Sequence, residues 1–318
     1  MGLTSLEICA GAGGQALGLE QAGFDHVRLV EIDGTACDTL RLNRPYWEVS
    51  QADIRTFDGR PYRGVDLLAG GLPCPPFSIA GKQLGEEDER NLFPTAIRLV
   101  DEIRPKAVMI ENVRGILGAI FEDYRRYIAG ELKKLGYATD WHLMNASDFG
   151  VPQLRPRVVF VALMKEYQDL FRWPMPTMAP PPTVGDTLAD LMAQRGWKGV
   201  EEWRRRANEI APTIVGGSLK HGGPDLGPTR ARKAWESLGV DGRGIADEPP
   251  EESFCGNPRL TVRMVARIQG FPDDWQIAGR KTSSYRQVGN AFPPPVARAV
   301  ATQMKAALQS HTNLRLIG

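Results

Sequence analysis

The first 165 residues alternate short apolar segments with amphipathic helical ones, and this alternation limits the folds that the chain can adopt. The apolar segments of strand length lie at 5–9, 27–32, 65–69, 107–110 and 158–163, and the predicted helices between them at 15–22, 92–103 and 124–135. Strands that alternate with helices favour an α/β fold with a parallel, doubly wound sheet.

The sequence changes character near Trp173, where the segment WPMPTMAPPPT is rich in proline and indicates a linker. From there to about Pro258 glycine and proline are frequent and no period is sustained, so we expect a smaller, irregular second domain. Regular signals return over 260–269 and in a closing helix over 296–308. We therefore predict one domain over 1–172 and 280–318, and a second over 173–279.

Charge and cysteine content exclude several classes of protein. The net charge is only +1, so any nucleic-acid surface must be a local patch. No apolar run approaches the roughly 20 residues of a membrane span, and a strand begins too early to leave room for a signal peptide. The four cysteines have no CxxC spacing and the four histidines are scattered. We expect a reduced, cytoplasmic protein without a bound metal.

A glycine loop joins the first predicted strand to the first helix. The stretch EICAGAGGQALGLE places Gly11, Gly13 and Gly14 where a ligand can approach the backbone and the helix N-terminus. Glu31 ends the next strand, where an acid can accept hydrogen bonds from ribose hydroxyls. Because Gly11-x-Gly13-x-x-Ala16 also satisfies the dinucleotide fingerprint, NAD, FAD, S-adenosylmethionine (SAM) and an unliganded turn all remain open at this point.

Cys74 lies in a segment that prolines make rigid. Pro73, Pro75 and Pro76 fix the backbone φ angle around it and exclude helix and central strand. The loop follows the strand at 65–69, at the edge of the sheet where ligands bind. Such rigidity suits a nucleophile, which must be held near its attack geometry, although a free cysteine is more often a small buried apolar residue.

Two further segments reach the same predicted edge. Glu111 follows the strand at 107–110, and Arg155 and Arg157 precede the strand at 158–163, on one face if period two applies. A thiol, a carboxyl group and two guanidinium groups would then meet at the strand ends. The alternatives are a helix-capping acid and two solvated arginines.

Taken together, these motifs resemble those of the DNA (cytosine-5) methyltransferases, in the family's order and over nearly the whole chain. The matching stretches are AGAGG, VEID, ADI, GLPCPPFSIAGKQ, DERNLF, ENV, PQLRPR and RQVGNAFPPPVA. The resemblance implies a SAM-dependent methyltransferase sheet with a smaller target-recognition domain, the latter over 173–279.

The resemblance also implies the roles of the candidate catalytic residues. Cys74 would attack C6 of a cytosine in double-stranded DNA, Glu111 would hold or protonate N3, and Arg157 with Arg155 would bind the base at O2. The activated C5 would then take the methyl group of SAM, giving 5-methylcytosine and S-adenosylhomocysteine. Since duplex stacking hides C6, the base would be flipped out.

The positions that match the family's SAM contacts form three groups. They are the loop Cys9, Ala10, Gly11, Ala12, Gly13 and Gly14; the strand ends Glu31, Ile32, Asp53 and Ile54; and the separate positions Pro73, Leu92, Asn290 and Ala291. Cys9 stands where the family often has Phe, so we expect adenine packing that is looser or is supplied by Ile32 or Ile54.

DNA recognition is expected between Trp173 and Pro258. Residues 195–243 carry ten Lys and Arg against six Asp and Glu, a local charge of +4 that phosphates would attract. The predicted DNA contacts are Ser78, Lys82, Gln83 and Arg90 near the cysteine, Thr213, Gly216, Gly217, Lys220 and His221 in PTIVGGSLKHGG, and Arg230 and Arg232 in TRARK.

Two alternatives to a DNA methyltransferase remain. A tRNA cytosine-5 methyltransferase would carry a Cys-Phe-Thr signature, whereas this chain has Phe254-Cys255-Gly256. A non-catalytic DNA-binding homologue would lack a catalytic residue, whereas Cys74, Glu111, Arg155 and Arg157 are all present. We expect a bacterial enzyme of either the restriction–modification or the solitary type, a monomer with no membrane association. In the first case a companion restriction endonuclease would be encoded elsewhere.

Overall fold

The computed structural model describes residues 2–73, 91–217 and 223–317, with side chains to residue 311. The chain divides into two compact units. The first comprises Met1–Met144, Pro156–Met175 and Val296–Gly318, and the second comprises Asn145–Arg155 and Pro176–Pro295. Residues 145–155 and 280–295 therefore group with the second unit, whereas the predicted boundaries assigned them to the first domain.

The first unit is built on a β-sheet. In the described part of the chain this sheet has seven strands in the order β3-β2-β1-β4-β5-β7-β6. The strands are β1 Leu3–Ile8, β2 Phe24–Glu31, β3 Val49–Gln51, β4 Leu67–Gly71, β5 Ala107–Val113, β6 Tyr137–Asn145 and β7 Pro156–Met164. The predicted α/β class is confirmed.

One strand runs against the predicted direction. Strand β1 pairs in parallel with β2 and β4, and β4 with β5. Strand β7 is antiparallel to β5, with Ala107 opposite Leu163 and Val113 opposite Arg157. The prediction of a parallel sheet is thus wrong for β7, and the consequence is that the beginning of β7 lies beside the end of β5.

Helices enclose this sheet. They are α1 Gly14–Ala22, α2 Gly34–Asn43, α3 Phe93–Ile103, α4 Glu122–Lys134, the short α5 Lys165–Gln168 and most of α11 Pro294–Ile317. The main core joins apolar residues of the strands, such as Ile8 and Ile110, to apolar residues of α3 and α4, such as Leu99 and Ile128. Sequence patterns missed β3 because it is short, and β6 because many of its residues are exposed and do not alternate.

His26 in the first unit is half-buried and has a hydrogen-bond partner at each ring nitrogen. The ring nitrogens of His26 lie 2.9 Å from Ser5 Oγ and 2.9 Å from the Ala16 carbonyl oxygen. Because that carbonyl only accepts, Nε2 carries a proton, and in the neutral ring Nδ1 accepts from the serine hydroxyl. Burial lowers the pKa of His26, although the hydrogen bond to the Ala16 carbonyl oxygen and the negative charges of Glu20 and Asp25 act in the opposite sense.

We therefore expect the free energy of unfolding to fall as the pH drops from 7.5 to 5.5. The pKa of His26 is lower in the folded than in the unfolded chain, so the unfolded chain takes up this proton first, near pH 6.5. Urea unfolding at several pH values should show a shallower pH dependence for His26→Gln than for wild type. An identical dependence in the two proteins would assign the effect to other groups.

The second unit is helical where an irregular domain was expected. Its helices are α6 Val184–Ala193, α7 Val200–Arg206, α8 Thr229–Ser237, α9 Val262–Ile268 and α10 Lys281–Asn290. The prediction failed for α6, α7 and α8 because these helices have only 7 to 10 residues, too few to show a sustained period. Helix α9 lies within the segment 260–269, where regular signals were predicted. The buried tryptophans Trp197, Trp203, Trp235 and Trp275 supply much of the apolar core. In the part of the chain that the structure describes, no helix is both long and apolar enough to cross a membrane.

Candidate active site

A carboxylate and a guanidinium group form a buried pair at the sheet edge. Glu111 near the end of β5 is only 4% exposed, and its Oε1 lies 2.8 Å from Nε of Arg157 at the start of β7. The antiparallel register places Arg157 opposite Val113, two residues beyond Glu111, so the two side chains are diagonal neighbours. The pair gives the edge one anionic and one cationic group, both largely shielded from water.

The end of β4 leads to Cys74, which itself lies outside the described residues. A Cβ atom on Gly70 would lie 2.6 Å from Ile8 Cγ1 and 2.7 Å from the Ile8 carbonyl oxygen, so only glycine fits there. Gly71 lies opposite Glu111, and a Cβ there would stand 3.5 Å from Glu111 Oε2. The absence of a side chain at Gly71 thus leaves room beside the Glu111 carboxylate.

The glycine loop has the backbone conformation that its sequence predicts. Gly11 and Gly13 have φ angles of 54° and 81°, in the left-handed region that favours glycine. Cys9 also has a positive φ, of 53°, which strains a residue with a side chain. Gly13 is the N-cap of α1 and contributes no side-chain cap, so the first turn of the helix faces the loop with backbone N–H groups.

Glu31 ties the loop to the end of β2. Its Oε2 accepts a hydrogen bond from the Gly11 N–H at 2.7 Å, and its Oε1 accepts from the N–H groups of Ile32 and Asp33, both at 2.8 Å. The carboxylate is 7% exposed. The first bond ties the glycine loop to β2, and the other two fix the backbone directly after β2.

The other strand ends differ in what they offer a ligand. Ile32 is 62% exposed, whereas Ile54 is 3% exposed and belongs to the main core. Of the two residues expected to pack on adenine, only Ile32 presents its side chain. Hydrogen bonds from the backbone N–H and guanidinium group of Arg55 lower the pKa of Asp53, which keeps this carboxylate ionised.

The remaining predicted SAM contacts fall in both units. Pro73 and Leu92 flank the undescribed segment 74–90, and Leu92 is buried at the N-cap of α3. Asn290 and Ala291 belong to the second unit, where Asn290 donates a hydrogen bond to the Gly217 carbonyl oxygen at 3.1 Å.

Sequence reasoning missed a buried acid beside the loop. Glu7 on β1 is 1% exposed, and burial together with the negative charge of Glu31 raises its pKa well above the ordinary value. The signal was present, since an acid inside the apolar stretch SLEIC is unusual in a central strand. The same effects raise the pKa of the Cys9 thiol, so it stays protonated at neutral pH.

Arg155 has partners quite different from those of Arg157. Its side chain is completely buried in the second unit. One terminal nitrogen donates to the Ile214 carbonyl oxygen at 2.6 Å, and the other donates to those of Gly289 and Ala291 at 2.8 and 3.1 Å. The expectation that both arginines lie on one strand face is not met, because Arg155 precedes Pro156, the first residue of β7.

Comparison with known proteins identifies the family. The family model for the C-5 cytosine-specific DNA methylases matches residues 3–306. The chain belongs to this family. It is therefore a DNA cytosine-5-methyltransferase, and membership of the family together with the fold implies the use of SAM.

The methyltransferase also has close curated relatives. It is 57% identical over 314 residues to the type II methyltransferase M.NgoMIV of Neisseria gonorrhoeae. The matched residues cover 97% of this chain and 99% of the relative. It is 57% identical over 312 residues to the type II methyltransferase M.NaeI of Lentzea aerocolonigenes, covering 96% and 75% of the two chains.

Solved structures share the fold. A structure described as a DNA modification methyltransferase from an Escherichia coli prophage is 25% identical, with a TM-score of 0.68 and coverage of 98% and 99%. The Entamoeba histolytica methyltransferase EhMeth is 14% identical, with a TM-score of 0.67 over 98% and 99% of the chains. The second likeness concerns the fold alone.

The predicted DNA contacts of the methyltransferase are described only in part. Thr213 donates its hydroxyl hydrogen to the Leu154 carbonyl oxygen. Gly216 packs tightly, since a Cβ there would lie 2.6 Å from the Arg286 carbonyl oxygen. Gly217 has a φ of 71°. The other predicted contacts near the cysteine and in this segment lie outside the described residues: Ser78, Lys82, Gln83, Arg90, Lys220 and His221.

The basic clusters of the second unit are not equally available to phosphate. Arg204 forms an ion pair with Asp186 at 2.8 Å, and Arg206 donates to Asn257 Oδ1 at 3.0 Å. Arg230 is exposed and Arg232 half-buried on α8, whereas Arg204, Arg205 and Arg206 are all exposed on α7, so the two clusters differ in their side-chain partners rather than in exposure. Among residues 2–73, 91–217 and 223–317, no group of three or more His, Cys, Asp and Glu could hold a metal ion.

Proposed function

We propose that this enzyme methylates C5 of one cytosine within a specific duplex sequence, through a covalent intermediate on Cys74. The observation that carries the proposal is the buried Glu111–Arg157 pair. It lies at the end of β5, next to the strand whose sequence continues into Cys74. A carboxyl group beside a guanidinium group matches the N3 and O2 edge of cytosine.

The proposed chemistry divides methyl transfer into simpler steps. The Cys74 thiolate forms an S–C6 bond, and the electron pair of the C5–C6 double bond makes C5 nucleophilic. Glu111 supplies a proton or hydrogen bond at N3, and Arg157 binds O2, so negative charge does not build up on the ring. C5 would then bond to the methyl carbon of SAM as the bond between that carbon and the sulfonium sulfur breaks, which would release S-adenosylhomocysteine. Loss of the C5 proton to a base restores the double bond and expels the thiolate.

The described residues fit SAM. When bound, SAM supplies an electrophilic methyl group on its sulfonium sulfur. A carboxylate has about four acceptor sites, and Glu31 uses three for backbone N–H groups, which leaves one for a ribose hydroxyl. We propose that the exposed Ile32 covers the adenine and that the N-terminus of α1 faces the methionine carboxylate.

We assign Arg155 a supporting role in place of base binding. Its terminal nitrogens are held by carbonyl oxygens of residues 214, 289 and 291. These bonds join the Thr213–Gly217 stretch, where DNA contacts are expected, to the Gly289-Asn290-Ala291 turn, where a SAM contact is expected. Arg157 then remains as the arginine that binds the base.

Duplex DNA is the proposed substrate for two reasons. The matching family model is that of DNA methylases, and both relatives at 57% identity are type II methyltransferases. The Cys-Phe-Thr signature expected of a tRNA enzyme is missing. By analogy with those relatives we propose a restriction–modification role, with a companion endonuclease, for a monomer that works in the cytoplasm.

A genome-wide experiment tests this proposal. The wild-type gene and Cys74→Ala are expressed in a host that lacks cytosine methylation, and the host genome is then sequenced after bisulfite conversion. We expect nearly complete methylation of one cytosine in one short shared sequence, and none with Cys74→Ala. An unmethylated genome alongside folded, SAM-binding protein would reject duplex DNA as the substrate.

A further inference from the structure

Two apolar side chains of the second unit face solvent although their chain neighbours are buried. Leu154 is 53% exposed between Gln153 and Arg155, both at 0%. Val215 is 48% exposed and follows Ile214, which is also at 0%. Exposed apolar residues are common one at a time. Two of them on neighbouring segments, each next to residues that are completely buried, are less expected.

Hydrogen bonds hold the Leu154 backbone against residues 211–213. The Leu154 N–H donates to the Ala211 carbonyl oxygen at 2.7 Å, and the Leu154 carbonyl oxygen accepts from the Thr213 hydroxyl. A parallel bridge joins Gln153 to Ala211. The exposed leucine therefore projects from a backbone that is fixed on both sides.

The backbone before and after Val215 is held equally firmly. Gln153 Oε1 accepts from the Ile214 N–H at 2.8 Å, and Arg155 donates to the Ile214 carbonyl oxygen at 2.6 Å. On the other side, Gly216 and Gly289 are in backbone contact, since a Cβ on Gly289 would lie 2.5 Å from Gly216 Cα. Both apolar side chains are thus pre-positioned, as a binding group must be.

The chemistry of these segments suits base and sugar surfaces. Residues 211–217, APTIVGG, contain no charged side chain, and neither do Gln153 and Leu154. Along the chain Leu154 stands only three residues before Arg157, which pairs with Glu111. Proteins that unstack DNA insert apolar side chains such as Leu and Ile between base steps.

We propose that Leu154 and Val215 form an apolar contact that packs into the duplex beside the target cytosine and stabilises its flipped state. The proposal rests on the proposed function, because it needs DNA bound with its target cytosine near Arg157. The partner of this contact is duplex DNA. The two side chains fill the space that the flipped cytosine leaves in the base stack.

The test compares a paired with an unpaired target. Wild type and the double variant Leu154→Ala/Val215→Ala are assayed on two duplexes that contain the sequence found in the genome experiment. In one duplex the target cytosine lies opposite guanine, and in the other it lies opposite an abasic site. We expect kcat/KM to fall about tenfold or more on the paired duplex, and far less on the abasic one, where flipping is already easier.

Two further measurements separate this role from a structural one. With 2-aminopurine at the target position, the fluorescence increase on binding should be smaller for the double variant than for wild type. The matched control is Leu42→Ala on α2, a leucine of similar exposure at 51%, which should behave as wild type. Equal thermal stability of wild type, the double variant and Leu42→Ala supports a role in DNA binding rather than in folding.

Three results would overturn the inference. They are a double variant within about twofold of wild type on the paired duplex, an equal loss on both duplexes, and an undiminished fluorescence change. A wild-type protein that methylates neither duplex would instead reject the proposed function, and the inference with it.

Discussion

Replacing Cys74 with serine is expected to reduce methyl transfer on the order of 10³-fold or more while leaving SAM and DNA binding nearly intact. The reason is that a serine hydroxyl is a far weaker nucleophile than a thiolate, whereas the two side chains differ little in size. Single-turnover transfer of a labelled methyl group measures the loss, and fluorescence anisotropy of a labelled duplex measures binding.

A trapping experiment identifies the nucleophile directly. With 5-fluorocytosine at the target, fluorine replaces the C5 proton that must leave, so the covalent intermediate should persist and be visible by mass spectrometry. Wild type should give one adduct at Cys74. Cys37→Ser is a suitable control, since Cys37 is buried on α2 and burial raises its pKa to about 11. An adduct that forms equally in Cys74→Ser would contradict the assignment.

Replacing Glu111 with glutamine is expected to lower kcat by about 10²- to 10⁴-fold, the range for loss of a positioned proton donor or acceptor. KM for DNA should change much less, because glutamine can still hydrogen-bond N3 but cannot transfer a proton to it. The variant should also leave the Arg157 guanidinium largely buried without its anionic partner, so the thermal stability is measured in parallel.

A surface carboxylate provides the control for this variant. Glu131→Gln removes an acid that pairs with Lys134 on the exposed side of α4, and it should leave kcat and stability near those of wild type. The variant Arg157→Lys keeps a positive charge next to Glu111 but loses the planar guanidinium group. It should therefore raise KM more than it lowers kcat. A Glu111→Gln enzyme with wild-type kcat would remove Glu111 from the chemistry.

The sequence was most informative where one local pattern determines one local structure. The glycine loop, the acid at the end of β2 and the apolar strands all follow from residue type and spacing. The direction of β7 does not, because a strand has the same apolar pattern in either direction. Yet that direction decides the site: only an antiparallel β7 brings its first residues, Arg157 among them, to the end of β5.

Other features depend on contacts between distant parts of the chain. Period two suggested one role for Arg155 and Arg157, but Arg155 stands before Pro156 and strand alternation does not apply to it. Its partners at residues 214, 289 and 291 are 59 to 136 positions away. The short helices around Trp203 and Trp235 are likewise stabilised by packing that no local window reveals.

The first unit is assembled from three separate stretches of the chain, and this has a consequence for synthesis. β1 lies inside the sheet and is made early, whereas the buried apolar side of α11, which includes Val300 and Met304, is made only after the whole second unit. At about 5–20 residues per second, the early strands wait roughly 15–60 s for that helix. The second unit ends at Pro295, so a nascent chain contains a complete second unit before it contains a complete first one.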